Sequence, residues 1–159
     1  MKNNICCSRL QFFVVVFLSS IATSANAALV SRLNGQAVYD TDRNTTWLAT
    51  ANLALTNTFG VSGINSSGYM SWDTAQSWIA AMNAVNYPGY SDWRLPTTLK
   101  PDSSCSSQSQ TLGSYGWDFT GSEMGHLFYS ELEDVAGYSI ATYHNSNYSL
   151  FSNLPTTLQ

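Results

Sequence analysis

Charge is what this sequence has least of. Only 10% of its 159 residues are Asp, Glu, Lys or Arg, and six basic residues face ten acidic ones. So few basic side chains cannot displace the counterions of a phosphate backbone, which excludes nucleic acid as a partner. Long apolar runs are equally scarce. The one candidate, Phe12 to Ala22, is about half of the roughly 20 residues that a bilayer span requires. It follows Lys2 and Arg9 and precedes Ala25-Asn26-Ala27, a small-x-small cleavage pattern. Residues 1–27 therefore read as a secretory signal peptide. Residues 28–159 read as one exported domain without an integral membrane segment, placed in the periplasm, at the cell surface or in the medium. Loss of Lys2 and Arg9 leaves four basic residues against ten acidic ones, a net charge of −6.

Cysteine is short as well. Of three, Cys6 and Cys7 lie in the leader, so Cys105 stands alone in a compartment where thiols normally pair. A catalytic thiol requires a His and an orienting group, and spacing alone does not bring His126 or His144 to Cys105. No nucleophile–base–orienter set, phosphate loop or metal cluster is legible, so no catalytic residue is assigned.

Asn, Ser, Thr and Tyr are abundant, a composition common in exported β-rich proteins. Residues 29–39 and 46–48 are strand-like pieces around the turn "DTDRN". Asp40, Asp42 and Asn44 echo the first three ligand positions of a calcium loop. Thr45 then stands where such a loop requires Gly, and Ala51 where it requires Glu. The stretch is therefore read as a hairpin turn with no metal, and calcium is left only to a site of another geometry.

Residues 50–70 read as a loop. "SWDTAQSWIAAMN" is the clearest helix: Ser71 suits the N-cap and Asp73 the positive first turn. Trp72, Ala75, Ile79 and Met82 recur at helical spacing beside Trp78, which assigns them to the core. "NYPGY" then breaks the chain, and Asp92, Trp93, Arg94, Leu95 and Pro96 should form a buried strand. Trp93 and Leu95 alternate inward, and Arg94 is expected to tie the strand to neighbouring carbonyls or to an acid such as Asp92, because an unpaired buried Arg is very costly. After a long polar loop, a second helix opens at "TGSEMGHLFYSEL". Thr120 and Glu123 are spaced as a capping box. Met124, Leu127, Phe128 and Leu132 mark its apolar face, and His126, three residues from Glu123, is assigned to a solvated polar face.

These stretches carry a resemblance. "VYDTDRNTTWLATANLA", "MSWDTAQSWIAAMNAVNYPGYSDWRLPTTLKPD", "TGSEMGHLFYSEL" and "LFSNL" resemble the Lcl C-terminal domain family, a former domain of unknown function. The nearest branch is that of exported bacterial proteins with a PEP-CTERM sorting tail. The resemblance implies an α+β, C-type-lectin-like fold similar to that of formylglycine-generating enzymes. Two helices would pack on a small, mostly antiparallel sheet. In relatives a second Cys just before the Thr-Gly-Ser-Glu segment closes the long loop; here Phe119 holds that place. Relatives also continue into a Tyr-Trp-Ser-Gly-Thr segment and further strands, which implies that this chain lacks the last strands of the fold.

The resemblance further implies a non-enzymatic binding or adhesion module. One type of relative binds sulfated polysaccharides as a trimeric adhesin tip. At −6, this chain suits neutral glycans stacking on Trp47, Tyr115 or Trp117 better than anionic ones, with a cell-surface or matrix ligand as the broader class and oligomerisation left open. An enzyme of the formylglycine-generating type is the alternative, but that chemistry uses paired cysteines with copper, and fold analogy alone does not carry function. A purely structural surface protein is the third reading.

Overall fold

A computed structural model of the protein describes residues 29–109 and 113–154; the signal-peptide reading lies outside them. The fold is α+β, with two helical elements and small antiparallel sheets. Strands β1 (Leu29–Arg32), β2 (Ala37–Asp40) and β3 (Thr45–Leu48) form a meander with β2 in the centre. Residues 29–39 are thus a hairpin rather than one strand. The cause is Asn34-Gly35: Leu33, Asn34 and Gly35 all have positive φ, and an Asn-Gly pair adopts that conformation readily. The central strand is the most buried: Ala37, Val38 and Asp40 are each 1% exposed or less.

Helix α1 (Trp72–Ala84) starts as its sequence dictates, with the Ser71 hydroxyl accepting from the Thr74 amide. Trp78, Ile79 and Met82 are buried. Trp72 is not part of that face; it is 69% exposed, because it occupies the first helical position, before the helix reaches the core. Strands β4 (Ser107–Ser109) and β5 (Gly113–Tyr115) pair as a short separate ribbon in the long polar loop. The second helical element comprises α2 (Glu123–Gly125) and a π-helical continuation, His126–Glu131. The C-terminal segment returns to the sheet end, where Thr50 and Ser152 form a parallel bridge.

The core has two parts. One, under the meander, joins Leu29, Val38, Ala49, Leu127, Leu132 and Ile140. The other joins Leu53, Ala54, Trp78, Ile79 and Met82, with Trp93 and Leu95 packed against it. An apolar cavity of about 510 Å3 touches both, with Met82 and Leu127 among its walls. No helix among the described residues is long and apolar enough to cross a membrane.

Candidate functional site

Residues 92–99 form no strand. Side chains from the two helices replace the missing sheet neighbour. The Asn83 amide, near the end of α1, donates to the Trp93 carbonyl and accepts from the Trp93 amide, both at 2.9 Å. A side-chain amide both donates and accepts, so it pairs with backbone as a strand would. At the other end, the Glu123 carboxylate accepts from the Thr97 amide at 2.7 Å. The Glu123 amide donates to the Thr97 carbonyl, and the Ser122 hydroxyl accepts from the Leu99 amide. Trp93 and Leu95 face the core as their alternation predicts, and Asp92, Arg94 and Thr97 face out.

Arg94 has the expected kinds of partner, a neighbouring carbonyl and an acid, but it is not buried and the acid is Glu123 rather than Asp92. Its side chain is 55% exposed and that of Glu123 only 16%. The guanidinium binds Glu123 bidentately at 2.6 and 2.7 Å and also donates to the Leu95 carbonyl at 3.1 Å. Asp92, two residues earlier, is not its acid partner, because Glu123 arrives from α2 and takes both terminal nitrogens of the guanidinium. Glu123 accordingly makes no capping box with Thr120. The residue before α2 is Ser122, whose hydroxyl is occupied by Asp102; the Thr120 carbonyl accepts from Arg43 instead.

Hydrogen bonding from Arg94 outweighs partial burial and holds the Glu123 carboxyl down at about 2. A depressed carboxylate contributes stability above its unfolded value, near 4.5, that is lost as pH falls towards 2. In Arg94→Ala this acid-dependent contribution should therefore disappear, so the gap between parent and variant is largest above 4.5 and closes as pH falls to about 2. At neutral pH the loss should be about 1 kcal/mol, as for a half-exposed pair, rather than the larger penalty of a buried one. Urea unfolding from pH 2 to 7 measures both; a gap that stays constant across that range would show that Arg94 does not set the Glu123 carboxyl.

The pair forms one wall of a cleft of about 240 Å3 between β3 and residues 90–96. Three aromatic side chains, Trp47, Tyr90 and Trp93, line it together with Arg94, Glu123 and Asp92. Tyr90 and Trp93 meet edge to face at 5.7 Å. Of the aromatic candidates, only Trp47 is here. Tyr115 and Trp117, 49% and 47% exposed, belong to β5 and the turn after it. Tyr90 was missed in the sequence because it is the last residue of the break "NYPGY" rather than part of a periodic element.

The turn candidates also separate. Asp40 uses Oδ1 to accept from the amides of Asp42 and Arg43, both at 2.9 Å, while Asn44 accepts from the Tyr39 hydroxyl. Asn44 thus turns away from the other two. His126 is not on a solvated face; it is 7% exposed and lies beside Glu131. The wider π-helical turn after Gly125 redirects it inward, and helical spacing gives no sign of such a turn. Cys105 is partly buried and shares a small cavity with Phe119. Burial and the Asp102 charge push its thiol up, the opposite of what a nucleophile requires.

A family model for the Lcl C-terminal domain matches residues 36–123, more than half of the 159 residues. The chain belongs to the Lcl C-terminal domain family. No curated protein and no solved structure matches it. Within this Lcl domain, the matched stretch runs from the start of the central hairpin to Glu123. It therefore contains every residue named on the cleft, while His126 and Glu131 lie beyond it.

Proposed function

We propose that this Lcl domain is an exported, non-enzymatic binding module of C-type-lectin-like build, and that its ligand is a neutral glycan held in the Trp47–Tyr90–Trp93 cleft. The observation that carries this reading is the composition of the cleft: aromatic faces beside a fixed ion pair. Sugars present apolar C–H faces that stack on aromatic rings, and hydroxyls that take hydrogen bonds from charged groups held in place. Arg94 and Glu123 are held by each other and by backbone groups, so they present donors and acceptors without reorganisation. The charge of −6 left after removal of Lys2 and Arg9 disfavours sulfated chains. Export rests on the charged start, the apolar run and Ala25-Asn26-Ala27.

An array of neutral and sulfated oligosaccharides tests the reading. The expected result is retention of neutral sugars. Tyr90→Ala should weaken binding at least about tenfold, or about 1.4 kcal/mol, while Trp117→Ala should leave it unchanged. Retention of sulfated sugars alone, or equal binding by the Tyr90 variant, would place the ligand elsewhere. Mass analysis of the exported protein should find Ala28 at its N-terminus.

A further inference from the structure

Four ionisable side chains converge where the β2–β3 turn meets the π-helical segment. Asp40 ends β2 and Asp42 lies in the following turn, while His126 and Glu131 come from the π-helical segment. The His126 Nε2 atom stands 3.2 Å from Asp42 Oδ2, 3.2 Å from Glu131 Oε1 and 3.9 Å from Asp40 Oδ2. The side chains of Asp40, His126 and Glu131 are 1%, 9% and 3% exposed; that of Asp42 is 52% exposed. Asp40 Oδ2 and His126 Nε2 are buried and make no hydrogen bond. Buried polar atoms rarely stay unpaired, and carboxylates buried together repel unless a cation lies among them.

We propose that Asp40, Asp42, His126 and Glu131 bind a divalent transition-metal ion such as Zn2+ or Mn2+. One proton on His126 would neutralise one of the three carboxylates, whereas a divalent ion among them compensates two and engages all four side chains. Ligands about 2.1 Å from one ion stand roughly 3 to 4 Å apart. The ligand atoms of Asp40, His126 and Glu131 already lie within 4.8 Å of one another, so small side-chain rotations close the shell. The imidazole selects a transition ion over calcium or magnesium, which prefer oxygen alone. Asp40 is preorganised, because the Asp42 and Arg43 amides hold Oδ1 and turn Oδ2 inward. With Nε2 on the metal, the ring proton sits on Nδ1. The Arg43 Nη2 group, which lies 3.3 Å from Nδ1 and donates to the Thr120 carbonyl at 2.7 Å, must then withdraw from the ring. The ion would staple the β2–β3 turn to the second helical element, with half-exposed Asp42 at the entry.

The protein, stripped with chelator, should be titrated with ZnCl2, MnCl2 and CaCl2 by calorimetry and followed by thermal unfolding. The expected result is one Zn2+ or Mn2+ per chain with a raised Tm, and a weaker response to CaCl2. Asp42→Ala, at an exposed position that leaves the core intact, should lower the affinity at least about tenfold, and His126→Ala should abolish binding. The absence of heat and of any Tm shift with both transition ions would overturn the proposal. So would a preference for calcium, or an Asp42→Ala variant that binds like the parent.

Discussion

Gly125→Ala should destabilise the domain by about 3 kcal/mol, the upper end for overpacking a filled interior. The expectation runs against helix propensity, which favours Ala over Gly by about 1 kcal/mol. Gly125 has ordinary right-handed helical angles, φ −65° and ψ −39°, so its backbone does not require glycine. Space does. A Cβ there would overlap the carbonyl oxygen and ring of Phe119 and stand 2.7 Å from its carbonyl carbon. Phe119 cannot retreat cheaply, since its carbonyl accepts from the Ser122 amide and its ring packs edge to face on Tyr129. Urea unfolding decides the matter: a variant as stable as the parent would mean that the 118–122 turn gives way freely.

Asp102→Ala should cost about 3 kcal/mol at neutral pH, because it strands the buried Ser122 hydroxyl and the partly buried Ser104 hydroxyl that the carboxylate now satisfies. Asp102 is 1% exposed. It accepts from the amide and hydroxyl of Ser104 and, at 2.6 Å, from the hydroxyl of Ser122. It thereby ties the long polar loop to the start of α2. Burial alone would push the Asp102 carboxyl up, but the Ser104 and Ser122 hydrogen bonds prevail and hold it below the ordinary 3.8. The group therefore stabilises the fold in full above that ordinary value, and its contribution disappears as pH falls through the lower folded value. Parent and variant curves should converge in strong acid. A gap that persists there would show that packing, not the charge, is what the substitution removes.

Elements governed by local rules were legible in the sequence. The α1 cap at Ser71 and the alternation of Trp93 and Leu95 follow from side-chain chemistry within a few residues, and the structure has both. The β1–β2 hairpin had its signal in Asn34-Gly35, which the apolar run around it obscured. Arg94 was recognised as a residue that needs partners, yet its true partner is 29 positions away, and no periodicity links the two. Thr120 and Glu123 had the right spacing for a capping box, but Arg94 and Thr97 compete for the same carboxylate and win, since bidentate and charge-assisted bonds outweigh a neutral cap. His126 and Glu131 were beyond the reach of a 3.6-residue repeat, because a π-helical turn changes the spacing that places them together. The aromatic cleft was half visible: Trp47 and Trp93 lie in elements with clear patterns, whereas Tyr90 lies where the pattern stops.

The segment from Trp93 to Leu99 behaves mechanically as a tie rod. It is bolted to α1 at Asn83 and to α2 at Glu123 and Ser122, and it has no sheet ladder to share a load. Tension at Trp93 or Arg94 reaches both helices at once, and a change in helix spacing alters the cleft wall directly. The bolts are separate, so they fail singly rather than in a zipper, and loosening at Glu123 leaves the Asn83 end fast. The amides of Trp93 and Thr97 thus report on two different helices, although they are four residues apart in the chain.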